Sequence, residues 1–327
     1  MDLRKQIKDK YKRALVTGGA GFIGSHLCDE LVNSGLEVIS VDNFVAGKAK
    51  NVEHLKKFSN FKEANVDVCD FDRLKKHFRG VDIVFHNAAS KKTVSLKDPR
   101  MDLDVNAKGT FNLLELSRDK GVKKFVHAST GSVYGEPIIF PQTEDHPLNP
   151  TSVYGVSKLA GEKYAKLFEK SFGLDTTVLR YFHVFGPRQD FGDFGGVVAI
   201  FIRNMLRGEP LTIFGDGSQQ RSFTYVGDVV KANLLVATDP RTKGEVYNCA
   251  SGVRVTIQDL ADLVLESFGK TKKNNIIYKD WVVGDIKIFE VDNSKLKSLG
   301  MKFSVNFQEK LKETIEEMTN YIGKLEK

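Results

Sequence analysis

Cysteine is scarce and scattered: Cys28, Cys69 and Cys249 are the only three thiols in 327 residues. That number and spacing build neither a disulfide framework nor a zinc site, and they predict reduced thiols in a cytoplasmic setting. No apolar run is long enough to span a bilayer, so no membrane partner is expected. The first eleven residues are charged and lack the apolar centre of a secretory signal. No internal repeat or low-complexity tract interrupts the chain. No cluster of His, Cys and carboxylates has ligand spacing, so no metal is expected. The formal net charge is +7, but the lysines come in dispersed doublets without interleaved aromatics. Nucleic-acid binding is therefore not expected, and the excess suits a small phosphorylated ligand.

What is present reads as strand alternating with helix. Strand-like runs over 14–17, 37–41, 61–68, 81–85, 124–127 and 176–180 are separated by helical patterns. Those patterns cover 22–33, 51–58, 71–78, 101–120 and 151–171. This rhythm predicts an α/β fold, a Rossmann-type doubly wound parallel sheet covered on both faces. After Arg180 the rhythm changes. Residues 181–225 are glycine-rich around a helix over 197–206. Further helices are expected over 226–239 and 256–268, short strands over 245–248, 276–278 and 287–290, and a last amphipathic helix from Phe307. The expected division is a dinucleotide-binding domain over 12–180 plus about 226–250. A smaller C-terminal α/β substrate lobe takes 181–225 and 251–327. Residues 2–11 are expected to form a short helix outside the core.

Gly18, Gly21 and Gly24 follow the first strand and open the first helix as G-x-x-G-x-x-G. Such a turn lets backbone N–H groups approach a pyrophosphate at a helix N-terminus. Asp42 ends the second strand, where a carboxylate can bind both hydroxyls of a ribose and repel a 2′-phosphate. NAD is thus expected over NADP. Phe22, Ile23, Asn43 and Ala88 are expected to line the same site, and Asp67 and Val68 stand where an adenine is capped.

Tyr154 and Lys158 lie four residues apart, on one face of a helix. An adjacent ammonium favours phenolate, which predicts a Tyr154 acidity stronger than the ordinary value near ~10. The phenolate can take a proton from a substrate hydroxyl while hydride leaves the carbinol carbon. Thr130 and Ser132 follow a parallel strand, beyond whose carboxyl end ligands bind. A hydroxyl there can bond the same substrate oxygen.

Taken together, the run from Thr17 to Gly24, His86-Asn-Ala-Ala89, Ser129 to Gly135, Tyr154 to Lys158 and Arg180 to Arg188 resemble the extended short-chain dehydrogenase/reductases. Within them the resemblance is to NAD-dependent nucleotide-sugar epimerases of the UDP-glucose 4-epimerase type, from about Arg13 to Gly300. It implies tightly held NAD⁺ and a sugar nucleotide between two lobes. Hydride leaves C4, the 4-keto sugar rotates, and hydride returns to the other face. It implies Thr130 as hydroxyl partner, Tyr154 as base and Lys158 as its helper. Ser132 would touch the sugar, and Asn106 would be structural or on the cofactor side. A homodimer through the helices over 101–120 and 152–171 is implied as well.

On the substrate side the resemblance implies Arg221 on the diphosphate, where a guanidinium fork suits phosphate oxygens. Val197 would stand at a helix start facing the same anion. Asp285 belongs to the last substrate segment. There are departures from the pattern. His183 replaces the usual Asn, Ser222 the usual Asp, and Val282 a usual Arg, for which Lys279 could compensate. Phe289 lies near a position that gates the C2 substituent, and its bulk favours a plain hexose over an N-acetylhexosamine. Related 4,6-dehydratases carry Asp and Glu where this chain has Gly131 and Ser132, which argues against dehydration. Other nucleotides (CDP, dTDP or GDP), a 4-keto-sugar reductase and an NAD-sensing regulatory protein are the alternatives.

Overall fold

The computed structural model describes residues 2–90, 92–192, 195–281 and 287–323. A seven-stranded parallel sheet runs through it in the order β11-β6-β5-β4-β1-β2-β3. Its strands are β1 (Arg13–Thr17), β2 (Glu37–Asp42), β3 (Phe61–Asn65), β4 (Ile83–His86), β5 (Lys124–Thr130), β6 (Thr176–Tyr181) and β11 (Val246–Cys249). Successive side chains alternate between its faces. Val16 and Phe85 join one apolar cluster with Leu27 and Leu235; Leu15 and Val84 join the opposite one with Leu113 and Phe168. Burial on both faces explains why the strands read as continuous apolar runs.

Two sets of helices cover the sheet. Helices α1 (Leu3–Lys10), α2 (Phe22–Asn33) and α9 (Val226–Thr238) supply residues to the first cluster. The opposite face is built by α3 (Phe71–Lys75), α6 (Gly109–Asp119) and α7 (Val153–Phe172). Before α6 come α4 (Lys92–Lys97) and α5 (Pro99–Leu103), joined to it by a π-helical turn at Asp104–Lys108. Beyond the sheet, α8 (Val197–Leu206), α10 (Ile257–Ser267) and α12 (Phe307–Gly323) enclose a separate apolar cluster. Short strand pairs edge this region: β7 (Val184–Phe185) with β10 (Thr224–Tyr225), β9 (Gln220–Ser222) with β12 (Arg254–Thr256), and β8 (Leu211–Phe214) with β13 (Ile276–Lys279). Helix α11 (Ser294–Lys297) packs on β11.

Several local expectations change. Residues 2–11 do form a helix, but Ile7 is fully buried and the Tyr11 hydroxyl donates to Ala237 O (2.7 Å), so α1 belongs to the core. The helix expected over 51–58 is two 3₁₀ turns, Ala49–Asn51 and Glu53–Leu55. There the Asn51 amide turns inward to Ala20 O (2.9 Å), and tertiary contacts override helical spacing. Residues 287–290 form no strand; only Val291 bridges, to Gln142.

Candidate active site

The crevice lies beyond the carboxyl ends of β1 and β4, where the strand order reverses. Gly18 has φ +63°, open to glycine at little cost, and a side chain there would meet Ala88 N at 2.8 Å. At Gly24 a side chain would meet Gly18 O at 2.1 Å, so this glycine lets α2 press onto β1. Gly21 caps α2 with extended backbone and no side-chain hydrogen bond. The floor so formed is bare backbone at a helix N-terminus, which fits a dinucleotide's pyrophosphate.

Around that floor stand the residues the sequence singled out. Gly18, Gly21, Phe22, Ile23, Gly24, Asp42, Asn43, Asp67, Val68 and Ala88 all line one cleft. Asp42 is buried, and its two oxygens accept the Ala20 N–H (2.9 Å) and the Phe44 N–H (2.8 Å). It braces the glycine turn as well as facing the cleft. Burial raises its pKa above the ordinary carboxylate value, against the pull of those two N–H groups. Asn43 donates to Asp67 (2.8 Å), which also accepts the Cys69 N–H (2.8 Å). Burial pushes Asp67 up, but these bonds outweigh it and leave the carboxyl below its usual range. Sequence reading missed Lys48, Asn51, Asn87, Arg188 and Asp190, which line the same cleft from loops and, for Asn51, from a 3₁₀ turn. No spacing marks them, although Asn87 and Arg188 sit inside quoted motifs.

Thr130 ends β5 and caps the 3₁₀ turn Gly131–Val133, its hydroxyl accepting the Ser132 N–H (3.1 Å). Ser132 Oγ lies 3.3 Å from Thr130 Oγ1. Ser152 caps α7 through the Gly155 N–H (3.1 Å), and this start sets the Tyr154 hydroxyl beside Thr130. Three of the expected groups therefore meet. Lys158 is buried one turn on, 2 % exposed.

The expected acidity of Tyr154 is reversed. Burial pushes the phenol up to about 12, with the Thr130 bond opposing and the Asp102 charge reinforcing that shift. The desolvation of a buried phenolate outweighs the help of the Thr130 hydroxyl. Burial also pushes Lys158 down to about 8, partly offset by the charges of Glu162 and Asp102.

A buried polar floor supports the pair. Asn106 Oδ1 accepts the Ser90 N–H (3.0 Å), and its Nδ2 lies within reach of Ser90 O, Asp102 Oδ2 (3.0 Å) and Ser157 Oγ (3.1 Å). The π turn holding Asn106 inserts an extra residue into the helix and lies against α7. Thr110 donates to Asn106 O (2.6 Å), so it accepts from His86 Nε2–H (2.8 Å). His86 Nδ1 then accepts from Thr17 Oγ1 (2.7 Å), and Thr17 in turn accepts the Ala88 N–H (3.2 Å). These bonds fix one neutral His86 tautomer, and burial lowers its basicity further. One turn beyond Lys158, Glu162 pairs with buried Arg180 (2.8 Å) and accepts from Ser129. Arg180 also donates to the Tyr134 hydroxyl (2.7 Å), which donates to Asn248 (2.6 Å).

On the far wall, His183, Arg221 and Phe289 meet. The His183 and Phe289 rings stand 4.6 Å apart, and the Arg221 guanidinium lies 5.5 Å from the Phe289 centroid. Burial, then the Arg221 charge, drives His183 down to about 3, so it is neutral. Ser222 is buried, and its Oγ has no partner among the described residues. Val197 begins α8 after Gly196, as expected. Lys279 is exposed on β13. Val282 and Asp285 lie outside the described residues.

Comparison with known proteins agrees with this geometry. Residues 14–250 match the model of the NAD dependent epimerase/dehydratase family. A putative UDP-glucose 4-epimerase of Methanocaldococcus jannaschii is 40% identical over 94% of this chain and 98% of its own. The crystal structure of UDP-glucose 4-epimerase from Thermotoga maritima with UDP-glucose is 40% identical. It superposes with a TM-score of 0.89 over 95% of this chain and 99% of that one. A dTDP-glucose 4,6-dehydratase from Streptomyces venezuelae, with NAD bound, is 30% identical. Its TM-score is also 0.89, over 95% of this chain and 98% of that one. On the strength of the matched span and of these whole-length similarities, the chain belongs to the NAD-dependent epimerase/dehydratase family of the extended short-chain dehydrogenase/reductases.

Proposed function

We propose that this protein epimerises a nucleotide sugar at C4, with a UDP-hexose as substrate and Tyr154 as the base. The observation that carries this reading is the placement of the Tyr154 hydroxyl beside that of Thr130, next to buried Lys158. Gly131 separates this reaction from dehydration. An acid there would do more than change chemistry, since its Cβ would fall 2.4 Å from the ring of buried Phe182. Overall similarity cannot make that distinction, because epimerase and dehydratase structures superpose equally well.

In the proposed reaction Thr130 orients the C4 hydroxyl, and Tyr154 removes its proton and later returns it to the same oxygen. Bound NAD supplies the hydride acceptor and donor, and in its oxidised form a positive ring that opposes the burial of the phenolate. Lys158 adds a cation at neutral pH and holds the helix face toward the crevice. Ser132 contacts the sugar, Arg221, His183 and Val197 serve the nucleotide diphosphate, and Asp285 is assigned to the substrate. Phe289, set against His183, favours a plain hexose. In this reading 12–180 with 226–250 hold the cofactor, and 181–225 with 251–327 form the substrate lobe. The same proposal includes a cytoplasmic homodimer: Leu103, Val156 and Leu167 are each more than half exposed on α5 and α7. Sedimentation at equilibrium tests the dimer.

Proton NMR of UDP-glucose with the purified protein, no cofactor added, tests the reaction. UDP-galactose is expected, and Tyr154→Phe is expected to slow its appearance by about 10²–10⁴-fold. No UDP-galactose from protein that demonstrably carries NAD would overturn the UDP-hexose assignment. Turnover of Tyr154→Phe at the wild-type rate would overturn the base.

A further inference from the structure

The mouth of the dinucleotide cleft is crossed by a segment from outside the central sheet. Residues 187–191 follow β7 and meet the cofactor side at four points. Pro187 O accepts from His26 Nε2 (2.9 Å), on the helix that opens at the glycine turn. Burial and the Arg188 charge keep that histidine neutral, down to about 4. Arg188 Nη1 lies 2.7 Å from Asp29 on the same helix. From the loop after β2, Lys48 Nζ lies 3.2 Å from Asp190 and 4.4 Å from the Phe191 ring centroid. The Lys48 N–H is itself tied to Ala20 O (3.0 Å) in the glycine turn. Lys48, Arg188 and Asp190 all line the cleft with Gly21 and Asp42. Arg188 has φ +63°, a backbone conformation that side-chain-bearing residues rarely adopt and that surrounding contacts must hold.

We propose that residues 187–191 are a strap that retains the dinucleotide, locked across the cleft by the Lys48–Asp190 and Arg188–Asp29 pairs. An enzyme that regenerates its cofactor in every cycle has no need to exchange it. Residence is then set by how often the mouth opens, a dissociation-rate effect. The segment closes over the cofactor from the side that the substrate residues occupy. The strap therefore also couples the two halves of the site without touching the reacting carbon.

The test is the release rate of NADH from the loaded protein, followed by its fluorescence during a chase with excess NAD⁺. Asp190→Asn removes one lock and is expected to speed release about two- to fivefold, the scale of a partly exposed ion pair. Lys48→Glu sets two carboxylates against each other and is expected to speed it about tenfold. The swap Lys48→Glu with Asp190→Lys is expected to return within about twofold of wild type. Wild-type release is expected to quicken in about 1 M salt, since partly exposed pairs are screened. If Asp190→Asn releases NADH no faster than wild type while Lys48→Glu releases it faster, Lys48 holds the cofactor directly and the strap is wrong. A swap that fails to recover also overturns it. Should Lys48→Glu not fold, Asp190→Asn and the salt series decide between the same two results. Wild-type protein that binds no NADH at all would count against the cofactor itself, a different failure.

Discussion

The floor beneath the catalytic helix and the wall facing it handle buried polar groups in opposite ways. In the floor, Asn106, Asp102, Ser157, His86, Thr17 and Thr110 satisfy one another through bonds that cross β1, β4, α5, α6 and α7. In the wall, Gln142 is wholly buried, yet neither end of its side-chain amide has a partner among the described residues. Ser222 Oγ and His183 Nδ1 are in the same state. Buried polar atoms are ordinarily paired. The difference is one of degree: those six floor groups are paired with one another, although Ser90 Oγ and both His127 nitrogens beside them lack partners among the described residues, whereas the wall keeps more of its hydrogen-bonding capacity in reserve. The chemistry that every substrate needs is built rigidly, and the recognition of a particular nucleotide sugar is left to atoms awaiting a partner.

The contrast is broken most directly at Asn106. Asn106→Leu removes one of the two side chains, Asn106 and Ser157, that donate to fully buried Asp102 and leaves its carboxyl short of a donor. A loss of about 3–5 kcal/mol in folding free energy is expected, measured by urea unfolding. A loss below about 1 kcal/mol would show that the floor is not the rigid half.

Lys158 gives a smaller effect with a pH signature. Its ordinary value is 10.5 and burial lowers it to about 8, so between those limits the unfolded chain binds more protons than the folded one. Stability contributed by this group therefore rises with pH across that window. Lys158→Met removes the dependence. Its stability advantage over wild type is expected to shrink from pH 8 to 10.5 by on the order of 3 kcal/mol. Parallel melting curves at several pH values check this, and a constant difference would contradict it.

The wall should respond in binding rather than stability. His183→Asn restores two donors and relieves little packing, so unfolding is expected to shift by less than about 1 kcal/mol. Affinity for UDP-glucose, measured by calorimetry, is expected to change several-fold. Smallest of all is Ser222→Ala. It removes a hydroxyl with no partner among the described residues and should be neutral or stabilising by a few tenths of a kcal/mol. A large cost at Ser222 would mean that the wall, too, is internally satisfied.

Much of the floor was legible in the sequence because its geometry is local. The glycine turn fixes a helix start, Asp42 ends a strand, and four-residue spacing sets Tyr154 and Lys158 on one face. Asn106 was visible as a residue, but its π turn was not, since that turn depends on anchors at Ser90 and Ser157, 16 and 51 positions away. The acidity of Tyr154 was misjudged for the same reason: spacing shows the ammonium, whereas burial is a tertiary quantity. Two- and three-residue strands such as β7, β10 and β12 carry too few side chains to show a period. Lys48 and Asp190 lie 142 positions apart in loops, and neither loop hints at the other.

The central sheet is finished late in the chain. Its last strand, β11, is drawn from residues 246–249, after β7 to β10 have been laid down, and it pairs in register with β6, Val246 against Val178. At the other end of the chain, Tyr11 bonds to a carbonyl 226 residues away. Assembly on these terms is dominated by distant contacts, whose loop-closure cost falls before their reward. During synthesis, the edge of β6 waits unpaired until residues near 250 have emerged. A chain cut before residue 226 would keep the glycine turn, Asp42, Tyr154 and Lys158, yet expose a bare strand edge and lack α9, the helix on which α1 and α2 pack. The residues that define the cofactor site are early; the permission for them to be stable comes from the second half of the chain.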